Sequence, residues 1–239
     1  MLYYYLMVRS GFGKECWSFS MEVFFADDLE SLKDFASRPD QLAIFKREKP
    51  AEAGAFFGKL GSTSFGIFGE VAKRDPLTDI EFLLEEDIPS DIQSDPFYQT
   101  WLEDMAQVCL LFCDVEQSEK VHMWLGSKRG CRRYHIDNVP RRLLVTYDGK
   151  GTEWLPEHAA NRDAFSQGEP NEKIVRDNTA RQFMSEWDIS IFRGGASGLL
   201  HRTPDDALQG HSILMRLDNE IFGRNVNRFR SKTPHKVQA

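Results

Sequence analysis

The chain has 239 residues, of which 41% are hydrophobic and 28% charged, with a formal net charge of −7 and a pI near 5.4. That balance belongs to a globular domain with a core of ordinary size, and it excludes a global basic field that would draw the chain to nucleic acid. Four cysteines, Cys16, Cys109, Cys113 and Cys131, with no CxxC pair, exclude a disulfide framework and suit a reducing, cytoplasmic setting.

The first residues, MLYYYLMV, are apolar but far too short to span a bilayer, and they lack the charged start of a secretory signal. Met21 opens a more ordinary sequence, so residues 1–20 are expected to be a loose arm or the product of an upstream start. Asp27 or Asp28 is placed to cap a short helix through about Ser37, and a strand-like QLAIFKR follows at Gln41–Arg47. Pro50 opens a second helical pattern, AEAGAFFGKL. The segment GSTSFGIFGEVA (61–72) reads as a turn and a strand, and its glycines do not have the spacing of a phosphate-cradling loop.

The clearest helix begins at Ser94–Asp95–Pro96, where an acid or hydroxyl receives the first free amides and proline suits the first turn. Phe97, Trp101, Met105, Val108 and Phe112 then recur at helical spacing and predict a buried face. Cys109 and Cys113 fall inside this run and read as buried thiols.

Beyond the helix the pattern changes to period two. Val121, Met123 and Leu125 alternate with His122 and Trp124. Short strands are expected at Arg133–Ile136, Arg142–Tyr147, Glu153–Leu155, Ile189–Phe192, Leu199–Arg202 and Ile213–Leu217, punctuated by Gly149–Lys150–Gly151, Gly194–Gly195 and Pro204–Gly210. Helices first and strands later predict an α+β chain: a double-stranded β-helix, or cupin-like jelly-roll, core with N-terminal helices packed against it. Residues 21–223 are expected to form this single domain, and the acid-free segment 224–239 a flexible basic tail.

Within RRYHIDNVP, His135 and Asp137 stand one residue apart. Residues i and i+2 of a strand share a face, so imidazole and carboxylate can reach one ion without backbone distortion. His201, in GLLHRTP, lies 201 − 135 = 66 residues later and is the natural third ligand. Two imidazoles and one carboxylate form the facial triad of non-haem Fe(II) centres, with coordination positions left open for other ligands. The plain structural alternative is a hydrogen-bonded core histidine at 135 and an aspartate capping the NVP turn. Trp154 and Tyr147 read as core residues that could also line the pocket. His122, His158 and His235 have no ligand spacing, and no GxSxG elbow is present.

The run CRRYHIDNVPRRLLVTYDGKGTEWLP (Cys131–Pro156), with GLLHRTP (Gly198–Pro204) and the earlier LAIFKR (Leu42–Arg47), resembles a bacterial domain family of unknown function over most of residues 40–220. More distantly, the order of HxD, then WDISIFRGG, then LHRTP is similar to the Fe(II)/2-oxoglutarate dioxygenases. That resemblance implies Fe(II) held by His135, Asp137 and His201, with 2-oxoglutarate as co-substrate and oxidation of a C–H bond in a small-molecule or protein substrate.

The sequence departs from those dioxygenases at the basic residue that holds the far carboxylate of 2-oxoglutarate. Where Gly-x-Arg is expected, this chain has Gly210–His211–Ser212. Arg216 further along the same strand, Arg142 on the strand after HxD, or more weakly His211, would have to replace it.

Other readings stay open on the same residues. Cys131, four residues before His135, would complete a closed four-ligand zinc site, and the family resemblance implies metal homeostasis with a metal-chaperone GTPase as partner. A metal-bound water on the same barrel would instead serve an isomerase or hydrolase. No nucleic acid or membrane partner is expected.

Overall fold

The computed structural model describes residues 23–61, 64–196 and 198–219. The expectations for residues 1–20 and 224–239, and for Cys16 and His235, lie outside the described residues. The polypeptide enters on β1 (Val23–Ala26), makes a 3-10 turn at Ser31–Ala36 and forms β2 (Leu42–Phe45) parallel to β1. Asp28 does act at the start of the turn, accepting the Ser31 amide at 2.8 Å, but the segment winds as a 3-10 turn rather than an α-helix. Then come α1 (Ala53–Leu60), β3 (Gly66–Ala72), α2 (Pro76–Leu84), α3 (Ser90–Gln93) and the long α4 (Pro96–Glu116).

Helix α4 has both ends marked in sequence. Asp95 Oδ1 accepts the Phe97 amide at 2.9 Å, and Pro96 occupies the first turn, where its missing N–H costs nothing. The far end closes with Gln117 in the left-handed region (φ 50°) and the Ser118 amide bonded to the Cys113 carbonyl at 2.9 Å. That 6→1 bond satisfies a carbonyl the helix itself leaves open. Cys109 and Cys113 are buried on the packed face, and burial pushes both thiols up, Cys113 to about 11.

The remaining strands are β4 (Lys120–Gly126), β5 (Arg141–Asp148), β6 (Glu153–Trp154), β7 (Gln182–Phe183), β8 (Ile189–Arg193), β9 (His201–Arg202) and β10 (Ile213–Asn219). They fall into two sheets, a seven-stranded one ordered β1-β2-β8-β5-β10-β4-β3 and a three-stranded one ordered β7-β6-β9. An antiparallel bridge from His135 to His201 adds a fourth row to the small sheet. From β4 onward the chain passes back and forth between the two: β4, the His135 bridge, β5, then β6 and β7, β8, β9, β10. Neighbours in the central sheet, β8-β5-β10-β4, are all antiparallel. This winding is the double-stranded β-helix expected from sequence, with the helices of the N-terminal half against it.

Three apolar layers follow from the alternation along each strand. The outer face of the large sheet (Val121, Met123, Leu125, Leu143, Val145, Tyr147, Ile213, Met215, Leu217) packs on α1, α2 and α4. Its inner face meets the small sheet through Leu144, Phe192, Leu214, Trp154, Met184 and Leu199. The outside of the small sheet is covered by α5 (Arg162–Ser166) and α6 (Asn171–Ile174) around Tyr134, Leu155, Ala164 and Ile174. A last short helix, α7 (Asp205–Gln209), joins β9 to β10.

An aromatic cluster locks the helices to the large sheet. Trp101 meets Phe56, Phe57, Tyr98 and Tyr147 at centroid separations of 5.3–6.3 Å, mostly edge to face. Tyr147 therefore belongs to this outer core, not to the barrel interior, and its hydroxyl donates to Asp104 Oδ2 at 2.7 Å. Trp101 is fully buried. Trp101→Ala is expected to cost about 3–5 kcal/mol, read as a lowered urea midpoint with an unchanged slope.

Candidate metal centre

The chain reaches the small sheet at His135 after the loop from β4. The bridge to His201 consists of two bonds, His135 N to His201 O at 3.0 Å and His201 N to His135 O at 3.1 Å. Directly opposed residues of an antiparallel pair project to the same face, so both rings enter the barrel, with centroids 4.4 Å apart. Asp137 turns in two residues later. One ligand atom from each of His135, Asp137 and His201 lies within 4.8 Å of the others.

Glycines make room for this segment. A Cβ on Gly194 would sit 2.0 Å from the Val139 carbonyl oxygen and 2.5 Å from that of Asp137. Gly195, with φ 81°, donates its amide to the Asp137 carbonyl at 2.9 Å. The Gly-Gly turn at the end of β8 thus clamps the backbone that carries the aspartate.

Each imidazole is oriented in the same way. His135 Nδ1 lies 3.1 Å from the Arg133 carbonyl oxygen, and His201 Nδ1 lies 3.0 Å from that of Leu199. A carbonyl only accepts, so each Nδ1 carries a proton, and Nε2 is the nitrogen left to ligate when the ring is neutral. His201 Nε2 faces Asp137 Oδ2 at 3.3 Å, and His135 Nε2 faces Oδ1 at 3.9 Å. Asp137 Oδ2 is buried and accepts no hydrogen bond from the protein. Lone pairs facing a carboxylate across a buried gap repel unless a positive charge lies between them, and a cation answers all three atoms. The residues fit a metal ion.

Asp137 and His201 are buried, while the His135 side chain is about a third exposed (31%), so the open side of the centre is the His135 side. Burial lowers the His135 pKa, which favours its neutral, ligating form at neutral pH. Burial alone would raise Asp137, but His201, Arg142 and His135 outweigh it and hold the carboxyl at about 2.

The Arg142 guanidinium bonds Asp137 Oδ1 through Nη1 and Asp218 Oδ1 through Nε, the latter at 2.7 Å. Arg216 Nε lies 2.9 Å from Asp218 Oδ2. The structure therefore brings both arginines named from sequence to the centre, each already facing a carboxylate. His211 is not brought there. It lies before β10, half-exposed, with Nδ1 3.7 Å from Asp148 Oδ2 and its ring against Gly61. Cys131 is exposed, with φ 56°, and is not in the group of three ligands. Trp154 lies inside the barrel with Leu144 and Phe192. Sequence reading missed Asp218, although its period-two relation to Arg216 was available, and Phe192, whose ring lies 4.6 Å from that of His201.

Two measurements follow. His135→Ala, at a partly exposed position, is expected to keep the fold and lose stoichiometric Fe(II) or Zn(II) binding, checked by metal analysis after dialysis beside circular dichroism. In the metal-free protein, the Asp137 value lies below the ordinary 3.8, so its stabilisation is complete above that pH and is lost as pH falls towards 2. A shift of that size corresponds to about 2 kcal/mol. Denaturation of wild type and Asp137→Asn at pH 5 and pH 2.5 is expected to show a steeper acid loss in the wild type.

Solved structures to which the chain is similar include three at low identity. A rice dioxygenase for auxin oxidation superposes with a TM-score of 0.44 at 10% identity, covering 83% of this chain and 82% of that one. The Fe(II)/α-ketoglutarate-dependent dioxygenase TqaL gives 0.42 at 10% identity, covering 80% and 85%. A bsmA homologue from Methylobium petroleophilum PM1 gives 0.35 at 12% identity, covering 78% and 92%. No curated protein matches the sequence. The family model described as protein of unknown function (DUF1826) matches residues 26–218, and the chain belongs to that family.

Proposed function

We propose that the protein is an Fe(II)-dependent oxygenase that takes a 2-oxo acid as co-substrate and oxidises an organic substrate at a C–H bond. The observation that carries this reading is the convergence of two Nε2 atoms and one carboxylate on a single face inside a double-stranded β-helix, with the His135 side open. Two imidazoles and one carboxylate form the donor set of a facial triad, which leaves positions free for further ligands. A closed zinc site needs a fourth protein ligand, and Cys131 does not join the group.

When bound, Fe(II) together with a 2-oxo acid supplies the oxidising chemistry. The residues of the chain bind, orient and shield. His135, His201 and Asp137 would hold the ion, and the carbonyls of Arg133 and Leu199 keep both rings in the ligating tautomer. Arg142 fixes the rotation of the Asp137 carboxylate through Oδ1, and Oδ2, which accepts no hydrogen bond, would be free to ligate. Leu144, Trp154, Phe192, Leu199 and Leu214 exclude water from the inner side.

Anaerobic addition of 2-oxoglutarate to the Fe(II)-loaded protein is expected to raise a visible charge-transfer band that is absent from Asp137→Ala. A protein that binds one Fe(II) and shows no such band with any 2-oxo acid would sink the oxygenase reading and leave only a metal centre.

A further inference from the structure

The guanidinium of Arg129, in the loop after β4, is held by neutral oxygens only. Its Nη1 donates to Ser212 Oγ at 3.1 Å and to the Lys150 carbonyl at 3.3 Å, and its Nη2 donates to Thr152 Oγ1 at 3.2 Å. Its Nε is buried and has no acceptor. Among the described residues no carboxylate pairs with it, whereas Arg142 and Arg216 both face Asp218. Burial draws the Arg129 pKa down to about 10, as expected for a charge removed from water without a counter-ion.

The position of this cation is set by the sheet register. Trp154 lies opposite His201, and the Met184 amide bonds the Thr152 carbonyl at 3.0 Å, so the ladder continues to Thr152. Thr152 therefore shares the inward face with Trp154, two residues from the level of His201, or about 7 Å along the strand. That is the reach of a short dicarboxylic acid with one end at the three-ligand centre. Asp137 and Asp218 balance Arg142 and Arg216, so the charge of a divalent ion and that of Arg129 are left without protein anions, and a ligand with a carboxylate at each end places one beside each of them.

We infer that Arg129, with Ser212 and Thr152, holds the far carboxylate of a dicarboxylic 2-oxo acid whose other end lies at His135, Asp137 and His201. The inference rests on the oxygenase reading for the end at the ion. It takes the anchoring role from Arg216 and Arg142, which the sequence offered, and gives it to a residue on a different strand connection. A planar guanidinium flanked by two hydroxyls suits a carboxylate held in a fork.

The test compares 2-oxoglutarate with 2-oxobutyrate, which lacks the far carboxylate, by anaerobic titration of the Fe(II)-loaded protein. Wild type should prefer 2-oxoglutarate. Arg129→Gln should weaken it roughly 30- to 100-fold, leaving Fe(II) and 2-oxobutyrate binding unchanged, with Arg129→Lys in between. Affinity for 2-oxoglutarate within twofold of wild type in Arg129→Gln overturns the inference and leaves the oxygenase reading standing.

Arg129→Gln also removes bonds between loops, so Ser212→Asp is the second variant. It places a carboxylate against Arg129, and it should raise the melting temperature and abolish the preference for the dicarboxylate. An unchanged preference in Ser212→Asp overturns the inference. Should neither 2-oxo acid give a band in wild type, calorimetry with glutarate on the metal-free protein decides. Binding lost in Arg129→Gln supports the anchor, and no binding in wild type overturns it.

Discussion

One antiparallel bridge holds the centre together. The two bonds between His135 and His201 join segments 66 residues apart in sequence and set their rings side by side, tilted by 51° with centroids 4.4 Å apart. The same local device repeats on both sides, with Nδ1 of each ring bonded to the carbonyl two residues earlier. Neither ring is left to choose a tautomer, and the bare nitrogens meet where Asp137 enters. A two-bond bridge is a weak element by itself. It is supported from outside by Tyr134, whose hydroxyl donates to the buried Glu153, and by the Glu153–Arg202 pair at 2.9 Å on the adjacent strands. The short helices α5 and α6 cover this support and keep water from the ladder.

The second constraint is electrostatic. Asp137, Arg142, Asp218 and Arg216 form a chain of alternating charge across the inner face of β5 and β10. Such a chain is costly to desolvate, and it persists where every charge has a partner of opposite sign. Its effect is to make Asp137 a fixed anion with Oδ1 committed to Arg142 and Oδ2 left without a hydrogen bond. It also commits the two arginines. An incoming anion meets guanidiniums already facing Asp218, while Arg129 meets only neutral oxygens.

Much of this was legible in the sequence, and the reasons differ by element. β4, β5 and β10 stood out because each separates a helix-packed face from a barrel face, which imposes period two on Val121–Leu125, Arg142–Tyr147 and Ile213–Leu217. The triad was legible because i and i+2 share a face. The expected strand at Arg133–Ile136 is realised only as the bridge, since its neighbouring residues bond to Asn171 and the short helices instead. Helix α2 went unread, although Asp75 and Pro76 repeat the start signal of α4, and the segment 157–180 hid its helices in pieces too short for periodicity. His211 precedes β10, beyond the register shift at Ile213–Leu214, and faces Asp148 and Gly61 instead of the barrel that Arg216 faces. Arg129 carried no pattern at all, because a loop residue has no period and its role comes from contacts with Thr152 and Ser212, distant in sequence.

Strand β5 links the two halves of the molecule. Its odd-numbered residues, Leu143, Val145 and Tyr147, lie in the helical core, and its even-numbered residues, Arg142 and Leu144, face the metal centre and the barrel. Tyr147 is fixed by rings of Phe57, Trp101 and Trp187 at 5.0–6.1 Å and by Asp104, which Arg47 also binds. A pleated strand held rigidly on one face cannot shift on the other without disturbing both. The N-terminal helices, which contribute no ligand, therefore set the height of Arg142 and through it the rotation of Asp137. In this fold the helical layer positions the carboxylate of the candidate centre from the far side of the sheet, and the barrel's own loops are left free to supply further contacts.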